Sequence, residues 1–455
     1  MAPSRPPVTD VGIQAMSLYI PRTAVSQAAL EAFDHTPTGK YTLGLGQAHM
    51  SFVSDREDVV SLALTAVAAV VRDAQIPYEQ IGRLEVGTET IVDKSKSIKT
   101  ALMQLFEDSG NAEVEGLDNT NACYGGTAAL FNSLAWMESS AWDGRYAVVV
   151  AADIAVYEPG PARPTGGAAA VAMLLGKGPK AALRFEIGLR STAMGNTYDF
   201  FKPHPAVEYP VVKGQETVDT FVRAMDDCYD RYRARAKLKD GRPFDVATGT
   251  DYVIFHAPFN KMVVKSFARL LFADFLASAE GEKEIYKDVE RWRGISRDRA
   301  HYDREVIAAF VKIARPMYER QCKPAAWIGV EIGNCYTASL YSQLAALLYE
   351  KGDEVVGKRV LMYSFGSGFA ASMFSMRVVG EVEGVVGKMQ LREVLRERVV
   401  TTPEEYAKCL ERREENYCRV DYVPEGEVEE LFPGTFYLKR VGKQGEREYD
   451  LVPFR

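Results

Sequence analysis

The sequence Tyr146-Ala-Val-Val-Val-Ala-Ala152 decides the fold class, because it is a valine-rich run in which apolar and polar residues do not alternate. Such a run is typical of a β-strand that helices cover on both faces. A second run of this kind, residues 168–175, follows a turn rich in proline and glycine at 159–167. We therefore predict that both runs are strands of a buried sheet.

Predicted helices alternate with strands along the rest of the chain. Val, Leu and Ala recur at helical spacing over residues 58–73, behind Asp55, Glu57 and Asp58. Acidic residues suit the N-terminus of a helix, and the spacing predicts one here. The other predictions are strands at 83–88, 251–255, 327–332 and 359–364, and helices at 126–137, 260–277 and 337–349. This alternation predicts an α/β architecture with buried sheets.

The pattern of strands and helices occurs twice along the chain. We predict two similar α/β halves, residues 1–180 and 181–455. A faint internal repeat accompanies them, since Asn121-Ala-Cys-Tyr124 precedes one predicted helix and Asn334-Cys-Tyr336 precedes another. The repeat is too short to establish a duplication by itself.

Three segments of the second half depart from this pattern. The stretches 280–304 and 391–419 are highly charged, and we interpret them as solvated surface helices inserted into the second half. Residues 201–217 are rich in proline, glycine and aromatic side chains, which predicts an ordered loop.

Composition excludes several classes of protein. Of 455 residues, 47% are hydrophobic and 26% are charged, as in an ordinary soluble globular protein. The formal net charge of −7 and the small number of histidines argue against nucleic acid or a membrane as a partner. The longest apolar runs fall short of the roughly 20 residues that span a bilayer. The six cysteines lack metal-ligand spacing, so no metal site is predicted.

The N-terminal segment bears on the compartment of the protein. Met1-Ala-Pro-Ser-Arg-Pro-Pro7 has neither an apolar signal core nor the arginine-rich amphipathic character of an organelle presequence. The scattered cysteines also fit a reduced environment. We therefore expect a cytoplasmic protein.

Cys123 is the first candidate for chemistry. It follows an apparent strand and lies at the predicted N-terminus of a helix, where free N–H groups and the helix dipole favour thiolate over thiol. Gly125 and Gly126 follow it, and glycines allow a backbone to approach a substrate closely. A single cysteine is more often structural, but this setting favours a nucleophile.

Glu89 is the second candidate, at the end of a short apolar strand. Partial desolvation there would raise its pKa and make it a plausible base. The alternative, a surface glutamate beside Lys94 and Lys96, is equally compatible with the local sequence.

His256 is the third candidate, because it ends the predicted strand 251–255. Sheets of α/β proteins commonly carry their sites at the carboxyl ends of strands. A satisfied core histidine is the rival interpretation. Lys261 and Lys265 follow at i, i+4 spacing on one helix face, where they could form the basic patch that an anionic cofactor requires.

Two glycine-rich segments are discounted as motifs. Gly44-Leu-Gly46 lacks the third glycine and the acidic partner of a dinucleotide-binding loop. Gly366-Ser-Gly368 does not match a nucleophile elbow. Both are interpreted as tight turns, and the second could offer a backbone N–H to an oxyanion.

These residues lie in segments that closely resemble the hydroxymethylglutaryl-CoA synthase family of eukaryotic type. The resemblance covers nearly the whole chain in register. It is carried by Tyr41-Thr-Leu-Gly-Leu-Gly-Gln47, Asp55-Arg-Glu-Asp58, Arg83-Leu-Glu-Val-Gly-Thr-Glu-Thr90, Asp93-Lys-Ser-Lys-Ser97, Thr120-Asn-Ala-Cys-Tyr-Gly-Gly-Thr127, Trp142-Asp-Gly-Arg-Tyr146, Ala162-Arg-Pro-Thr-Gly-Gly167, Tyr198-Asp-Phe200, Phe255-His-Ala-Pro258, Gly333-Asn334, Ser364-Phe-Gly-Ser-Gly368 and Phe436-Tyr-Leu438.

The resemblance implies a thiolase-like fold with two pseudo-repeated halves in αβαβα layers, usually assembled as a homodimer. It implies the condensation of acetyl-CoA, acetoacetyl-CoA and water to hydroxymethylglutaryl-CoA and CoA in the mevalonate pathway, with CoA thioesters as substrates and no tightly bound cofactor. Cys123 would carry the acetyl group, Glu89 would remove a methyl proton, and His256 would orient the ketone and protonate the alkoxide.

The resemblance also implies a set of binding residues. The backbone N–H groups of Cys123 and Ser367 match the oxyanion donors of the family, and Asn334 matches a hydrogen-bond partner of the acetoacetyl group. Substrate or CoA contacts are implied for Thr165, Thr217, Lys261 and Lys265. Pocket-lining positions are implied for Tyr124, Asp153, Asp199 and Phe200.

The sequence departs from the family pattern at two positions. Pro161 stands where the family often has asparagine, and proline supplies no side-chain hydrogen bond, so a CoA contact there is in doubt. Thr217 stands where serine is common, which preserves the hydroxyl.

Three rival interpretations remain. A ketoacyl synthase could use Cys123, His256 and Asn334, but it obtains its carbanion by decarboxylation and has no need of Glu89. A thiolase needs a second catalytic cysteine, and Cys409 and Cys418 lie in a charged helical segment. A catalytically silent scaffold would have no reason to keep all three reactive residues.

Overall fold

The computed structural model describes residues 8–454, in which strands and helices alternate as the sequence predicts. The strands are β1 Val8–Tyr19, β2 Thr23–Ser26, β3 His49–Phe52, β4 Ile81–Gly87, β5 Asp118–Asn119, β6 Tyr146–Ala155, β7 Gly167–Lys177, β8 Leu183–Met194, β9 Phe200–Phe201, β10 Val211–Val212, β11 Tyr252–Phe255, β12 Arg359–Gly366, β13 Ala370–Val378, β14 Val399–Thr401, β15 Phe436–Val441 and β16 Arg447–Leu451. The helices are α1 Gln27–Phe33, α2 Val59–Ala74, α3 Ile98–Leu102, α4 Gly125–Glu138, α5 Gly214–Asp240, α6 Val246–Gly249, α7 Lys261–Ala277, α8 Arg297–Tyr302, α9 Arg304–Gln321, α10 Lys323–Ile332, α11 Ala338–Lys351, α12 Glu383–Val386, α13 Leu391–Arg396 and α14 Pro403–Asn416.

The central sheet repeats one strand arrangement. Its order is β11-β12-β13-β8-β1-β7-β6-β4-β5. In the N-terminal part, β4 is parallel to β6, and β6, β7 and β1 are successively antiparallel. In the C-terminal part, β11 is parallel to β12, and β12, β13 and β8 are successively antiparallel. The two series meet where β1 pairs with β8, and the proposed division at residue 180 falls between β7 and β8.

Helices cover this sheet on both faces, as its unbroken apolar strands require. Helix α2 packs on β1, β6 and β7, and α5 packs on β8 and β13. Helix α11 lies between them and contacts β6 and β7 of one part and β11 and β12 of the other. Followed through these contacts, the layers are α2, strands β6 and β7, α11, strands β11 and β12, and α5. This is the predicted αβαβα order.

Helix α2 begins where the acidic residues predict it. The Asp58 carboxylate accepts a hydrogen bond of 2.9 Å from the Ser61 N–H, and the Ser61 hydroxyl accepts one from the Asp58 N–H. This reciprocal capping satisfies two N–H groups that a helix start otherwise leaves free. The helix is buried for most of its length, between the sheet and the hairpin of β15 and β16.

The predicted strand at 327–332 is wrong, because these residues form the last turns of α10. A short apolar run does not distinguish a buried strand from a buried helix by periodicity alone. The run belongs to a helix because it packs lengthwise on α11 and follows a proline in the first turn.

The three unusual segments differ from what the sequence predicts. Residues 201–217 hold the antiparallel pair β9–β10 and the beginning of α5, rather than only a loop. The stretch 280–304 holds short 3₁₀ turns and α8. The stretch 391–419 is not simply solvated, since β14 pairs with β2, and Tyr406 and Leu410 of α14 are buried.

The faint repeat of Asn-Ala-Cys-Tyr and Asn-Cys-Tyr has a structural counterpart. The two segments precede α4 and α11, which begin side by side. The Gly126 N–H donates to the Thr337 hydroxyl at 2.5 Å, and the Thr127 and Tyr341 hydroxyls are 2.7 Å apart.

Over residues 8–454, none of the helices has both the length and the apolar character needed to cross a membrane.

Candidate active site

Cys123 and Glu89 are brought together by the close approach of α4 to the end of β4. A Cβ atom on Gly87 would lie 2.1 Å from the Gly126 nitrogen, so glycine is required where strand and helix meet. Glu89 follows two residues after β4, and Cys123 precedes α4 by two residues. The Cys123 Sγ lies 3.4 Å from the Glu89 Oε1 and donates a hydrogen bond to it.

The turn that presents Cys123 has an unusual backbone. Ala122, immediately before it, has φ of 44°, a left-handed conformation that side-chain-bearing residues adopt rarely. Such conformations occur preferentially at functional sites, where the surrounding structure holds them. The turn therefore supports Cys123 as a functional residue rather than a filler of the core.

The two glycines after Cys123 have a packing role that was not predicted. A Cβ on Gly125 would lie 2.5 Å from the Asn119 carbonyl oxygen, and one on Gly126 would lie 2.7 Å from the Thr337 hydroxyl. Both glycines therefore allow α4 to pack against protein backbone and α11. Their predicted role, allowing the backbone to approach a substrate, stays a prediction.

Lys202 is a third member of the site, and sequence reasoning missed it. Its ammonium Nζ lies 3.7 Å from the Glu89 Oε2, so each oxygen of this carboxylate faces a different partner. The ammonium also lies 4.9 Å from the centre of the Tyr336 ring, a cation–π arrangement. The one signal in the sequence was a lone lysine two residues after the family motif Tyr198-Asp-Phe200.

Asp153 holds the Glu89 segment in place. Its fully buried carboxylate accepts five hydrogen bonds of 2.7–3.0 Å. The donors are the backbone N–H groups of Glu89, Thr90 and Thr337 and the hydroxyl groups of Thr88 and Thr90. This predicted pocket residue thus ties the end of β4 to the start of α11. We infer that it positions the site rather than touching a substrate.

Burial controls the protonation of the pair. Burial raises the pKa of Glu89 to about 7, although the Lys202 ammonium lowers this pKa. Burial, together with the Glu89 and Asp153 carboxylates, raises the pKa of Cys123 well above its usual value. The expectation of a resting thiolate is therefore wrong, because desolvation and adjacent negative charge outweigh the nearby helix N-terminus.

His256 follows β11, the strand that corresponds to β4 in the repeat. The ring is buried, its Nδ1 has no hydrogen-bond partner among residues 8–454, and burial lowers its pKa to about 4. The imidazole is therefore neutral near pH 7. The rival interpretation was a core histidine whose ring nitrogens are hydrogen-bonded. It does not fit His256, because one of its ring nitrogens is buried and unpaired.

Aromatic side chains lie beside Cys123. Tyr157 and Tyr336 belong to a small buried cluster, and the partly buried Cys123 and Phe200 pack against it. The Tyr336 ring meets Phe200 edge-on at 5.7 Å and Tyr157 at 6.1 Å between ring centres. Phe200 was predicted to line the pocket, whereas the two tyrosines were not predicted. The cluster keeps the thiol in an apolar setting.

Asn334 and Thr165 lie together near the join of the two halves. The Asn334 N–H donates to the Thr165 carbonyl at 3.1 Å, and the Asn334 side-chain oxygen accepts from the Ser339 hydroxyl at 2.9 Å. Asn334 also lines a small cavity with Ala257, the residue after His256. This arrangement places Asn334 on the His256 side of the site.

Ser367 lies beside the turn that carries Cys123. The Asn121 side-chain amide donates to the Ser367 carbonyl at 3.3 Å. Asp199 fixes the next residue, because its carboxylate accepts from the Gly368 N–H at 3.0 Å. Neither the Ser367 nor the Cys123 N–H donates to an acceptor within the part of the chain that the structure describes. Both N–H groups therefore remain available.

The other predicted binding residues make hydrogen bonds with other parts of the chain. The Tyr124 hydroxyl is buried and lies 2.8 Å from that of Ser372. The Thr217 hydroxyl donates to the Asp199 carbonyl at 3.0 Å. Lys261 and Lys265 are exposed on α7, and the Lys261 ammonium donates to the Leu43 carbonyl at 3.3 Å. The structure does not bring these two lysines into contact with the catalytic residues.

Replacing Lys202 with methionine is expected to shift the pH dependence of catalysis. As the predicted base, Glu89 must be ionised, so the rate of the predicted condensation falls as pH drops through the pKa of Glu89. The Lys202 ammonium lowers that pKa, so its loss raises it. The midpoint of the acid limb should rise by about 1–3 pH units. Condensation rates measured from about pH 5 to 9 test this, with Lys96→Met as a control that removes a distant positive charge. Equal midpoints in the two variants would contradict the role of Lys202.

The fold and the site define a class before any relative is considered. Two repeated α/β halves with a partly buried cysteine just before a helix are the architecture of thiolase-like acyl-transferring enzymes. Family models narrow this class. The one described as hydroxymethylglutaryl-coenzyme A synthase N terminal matches residues 7–182, and the one described as its C terminal matches residues 183–452.

Known proteins agree with the family models. A mitochondrial hydroxymethylglutaryl-CoA synthase from Homo sapiens is 47% identical over 98% of this chain and 90% of its own length. A cytoplasmic one from Gallus gallus is 46% identical over 98% and 87%. A solved structure of MvaS in complex with 3-hydroxy-3-methylglutaryl coenzyme A is 30% identical, covers 97% of this chain and 99% of its own, and has a TM-score of 0.83. The chain belongs to the hydroxymethylglutaryl-CoA synthase family.

These relatives overturn the expectation of a cytoplasmic protein. Those from Homo sapiens, Mus musculus, Rattus norvegicus, Bos taurus and Sus scrofa are named mitochondrial, at 46–47% identity. Targeting depends on a segment separate from the catalytic fold, so the same fold serves both compartments. Composition and cysteine spacing therefore do not decide the location.

Proposed function

We propose that this chain condenses acetyl-CoA with acetoacetyl-CoA and water to give hydroxymethylglutaryl-CoA and CoA. The observation that carries the proposal is the 3.4 Å contact between the Cys123 Sγ and the Glu89 Oε1. An acetyl group on that sulfur would hold its methyl group within reach of the carboxylate. A nucleophile and a carbon base on adjacent elements suit a condensing enzyme better than a simple acyl carrier.

The first step is acetyl transfer to Cys123. The Cys123 sulfur bonds to the acetyl carbon, the C–S bond to CoA breaks, and the CoA sulfur takes up the thiol proton. The N–H groups of Cys123 and Ser367 would stabilise the oxyanion, a contribution worth roughly 100- to 1000-fold per donor. The pKa of the resting Cys123 thiol is raised. The thiol therefore loses its proton only while the thioester is bound.

The second step forms the carbon–carbon bond. The Glu89 carboxylate removes a proton from the acetyl methyl group, and the resulting enolate attacks the ketone carbon of acetoacetyl-CoA. A pKa of about 7 suits this base, since half of it is ionised near neutral pH while its basicity exceeds that of an ordinary carboxylate. Lys202 keeps the carboxylate charged and Asp153 fixes its backbone.

His256 acts on the ketone oxygen. Its neutral ring can donate an N–H hydrogen bond to the carbonyl and give its proton to the alkoxide as that develops, as neutral imidazoles do elsewhere. Asn334, which lies on the same side, would hold the acetoacetyl group. Water then cleaves the thioester and restores the Cys123 thiol. Thr165, Thr217, Lys261 and Lys265 remain proposed contacts of substrate or CoA.

A spectrophotometric assay tests the proposal directly. The enolate absorbance of acetoacetyl-CoA should fall when acetyl-CoA is added to the enzyme, and mass spectrometry should identify hydroxymethylglutaryl-CoA. No loss of absorbance with protein that retains its native circular dichroism would contradict the proposed function.

Replacing His256 with alanine is expected to weaken acetoacetyl-CoA binding and to slow turnover by about 100-fold or more, because the ketone loses its hydrogen-bond donor. The acetylation of Cys123 should be largely retained, since this step does not involve the ketone. Acetylation kinetics and acetoacetyl-CoA titrations separate the two effects. His301→Ala, in which the replaced histidine contacts Asp219 on the outer helices, provides a matched control.

We also propose that the chain is a homodimer that joins through the edge of the central sheet. Strand β5 ends the sheet, and unpaired edges readily pair with another chain. Leu117, directly before β5, is 67% exposed, which suits an interface.

Sedimentation velocity should show a dimer for the wild type and a shift towards monomer for Leu117→Glu. Leu238→Glu, at a more exposed leucine on α5, is the control, and an equal mass for both variants would argue against this interface.

A further inference from the structure

A cavity of about 410 Å³ reaches Glu89 from a side that carries none of the proposed CoA contacts. We call it the rear cavity. Its inner wall includes the buried residues Glu89, Thr90 and Glu57, and its rim includes the exposed His204 and Cys418. Among the predicted catalytic and binding residues, Glu89 alone lines it.

Glu89 lies between the rear cavity and Cys123. Its Oε1 accepts the hydrogen bond from the Cys123 sulfur, whereas its Oε2 faces the Lys202 ammonium, which also lines the cavity. Cys123 itself does not line it. The carboxyl group thus offers one oxygen to the reacting acyl group and the other towards the cavity and its rim.

Polar side chains in the lining of the rear cavity can hold water. Charged pairs contribute to its wall, with the Arg413 guanidinium bonded to Glu208 and the Arg447 guanidinium bonded to Asp58. Asn416 adds an amide to the same wall. The volume far exceeds the roughly 15 Å³ that one water molecule requires.

The proposed reaction needs such a path. In the hydrolysis step, a water oxygen bonds to the thioester carbon and the C–S bond breaks with its electron pair on the Cys123 sulfur. One water proton goes to that sulfur, and the other is released when the product acid ionises to a carboxylate. Each turnover therefore consumes one water and releases one proton, and a path separate from the proposed CoA contacts would let both pass while a CoA thioester is bound.

We propose that the rear cavity is the route by which water reaches the acyl group on Cys123 and by which protons leave Glu89. The inference rests on the proposed function, and it adds a second opening to the site. Lys202 lines the cavity next to the Glu89 oxygen that faces away from the sulfur.

Large side chains at the rim test the route. Val207→Trp and Ile91→Trp each enlarge a partly exposed residue that lines the rear cavity, and neither residue belongs to the proposed machinery. Val423→Trp is the control, because Val423 is 62% exposed and lies outside the lining. Three rates are measured in each protein: acetylation of Cys123 by acetyl-CoA, deuterium uptake into the acetyl methyl group in D₂O, and hydrolysis of the acetyl-enzyme.

Either rim variant should slow deuterium uptake and hydrolysis by roughly tenfold or more while acetylation stays at the control rate. Uptake and hydrolysis at the control rate in both variants would overturn the proposal, and so would an equal loss of all three rates. The acetylation measurement separates this result from the function itself. A wild-type protein that forms no acetyl-Cys123 would contradict the proposed function, whatever the rim variants do.

Discussion

Replacement of Cys123 by alanine is expected to abolish the acetyl-enzyme and to lower hydroxymethylglutaryl-CoA formation by at least about 10⁴-fold. In the proposed mechanism this sulfur bonds to the acetyl group, and within the described residues no other cysteine contacts Glu89. Incubation with radiolabelled acetyl-CoA, followed by denaturation and peptide mapping, should locate the label on Cys123 in the wild type and find none in the variant.

A second cysteine variant controls for general thiol chemistry. Cys418 is exposed and reacts more readily with external reagents than a buried thiol, but it does not contact Cys123 or Glu89 in the structure. Cys418→Ala should therefore acetylate Cys123 and condense at the wild-type rate. Persistent labelling of Cys123→Ala, lost only when Cys418 is also replaced, would show that the wrong sulfur has been assigned.

Replacement of Glu89 by alanine is expected to separate the two halves of the reaction. Condensation should fall by about 10³-fold or more, because the acetyl methyl group loses its base. Acetylation should persist, since the Glu89 carboxylate raises the pKa of Cys123 and its removal eases formation of the thiolate. Single-turnover measurements of acetyl-enzyme formation and of its reaction with acetoacetyl-CoA separate these effects.

Two further variants give this result its meaning. Glu89→Gln keeps the shape of the side chain without its basicity, and it should condense as poorly as the alanine variant. Asp274→Asn replaces another buried carboxyl group whose pKa burial raises to about 7, but which hydrogen-bonds Tyr229 away from Cys123. It should retain condensation per folded molecule. Equal loss of acetylation and condensation in Glu89→Ala would refute the assignment of Glu89 as the carbon base.

The α/β fold was predictable because its information is local. The runs at 146–152 and 168–175 are apolar on both faces and became β6 and β7, since only a strand covered by helices buries such a run. The helices α2 and α4 were predicted within one or two residues of their ends. The run at 327–332 failed because a buried helix and a buried strand have the same short apolar pattern, and only the contact with α11 decides between them.

The identity of the candidate residues was also available from the sequence. Cys123, Glu89 and His256 each stand at the end of a predicted element within a specific motif, and the family resemblance assigns them roles. The sequence offered no comparable reason to single out Lys202 or Tyr336. Their importance depends on distances to residues far away in the chain, which no local pattern encodes.

By itself the sequence therefore determined the α/β halves, the family, and the three residues that would carry the chemistry. The tertiary structure decided their protonation, pairing a raised Glu89 pKa of about 7 with a Cys123 that rests as a thiol. It also decided that Lys202 faces one oxygen of Glu89 and Cys123 the other. The physical reason is that desolvation and charge–charge interactions depend on burial and on distance in space, and both are set only when distant segments of the chain pack together.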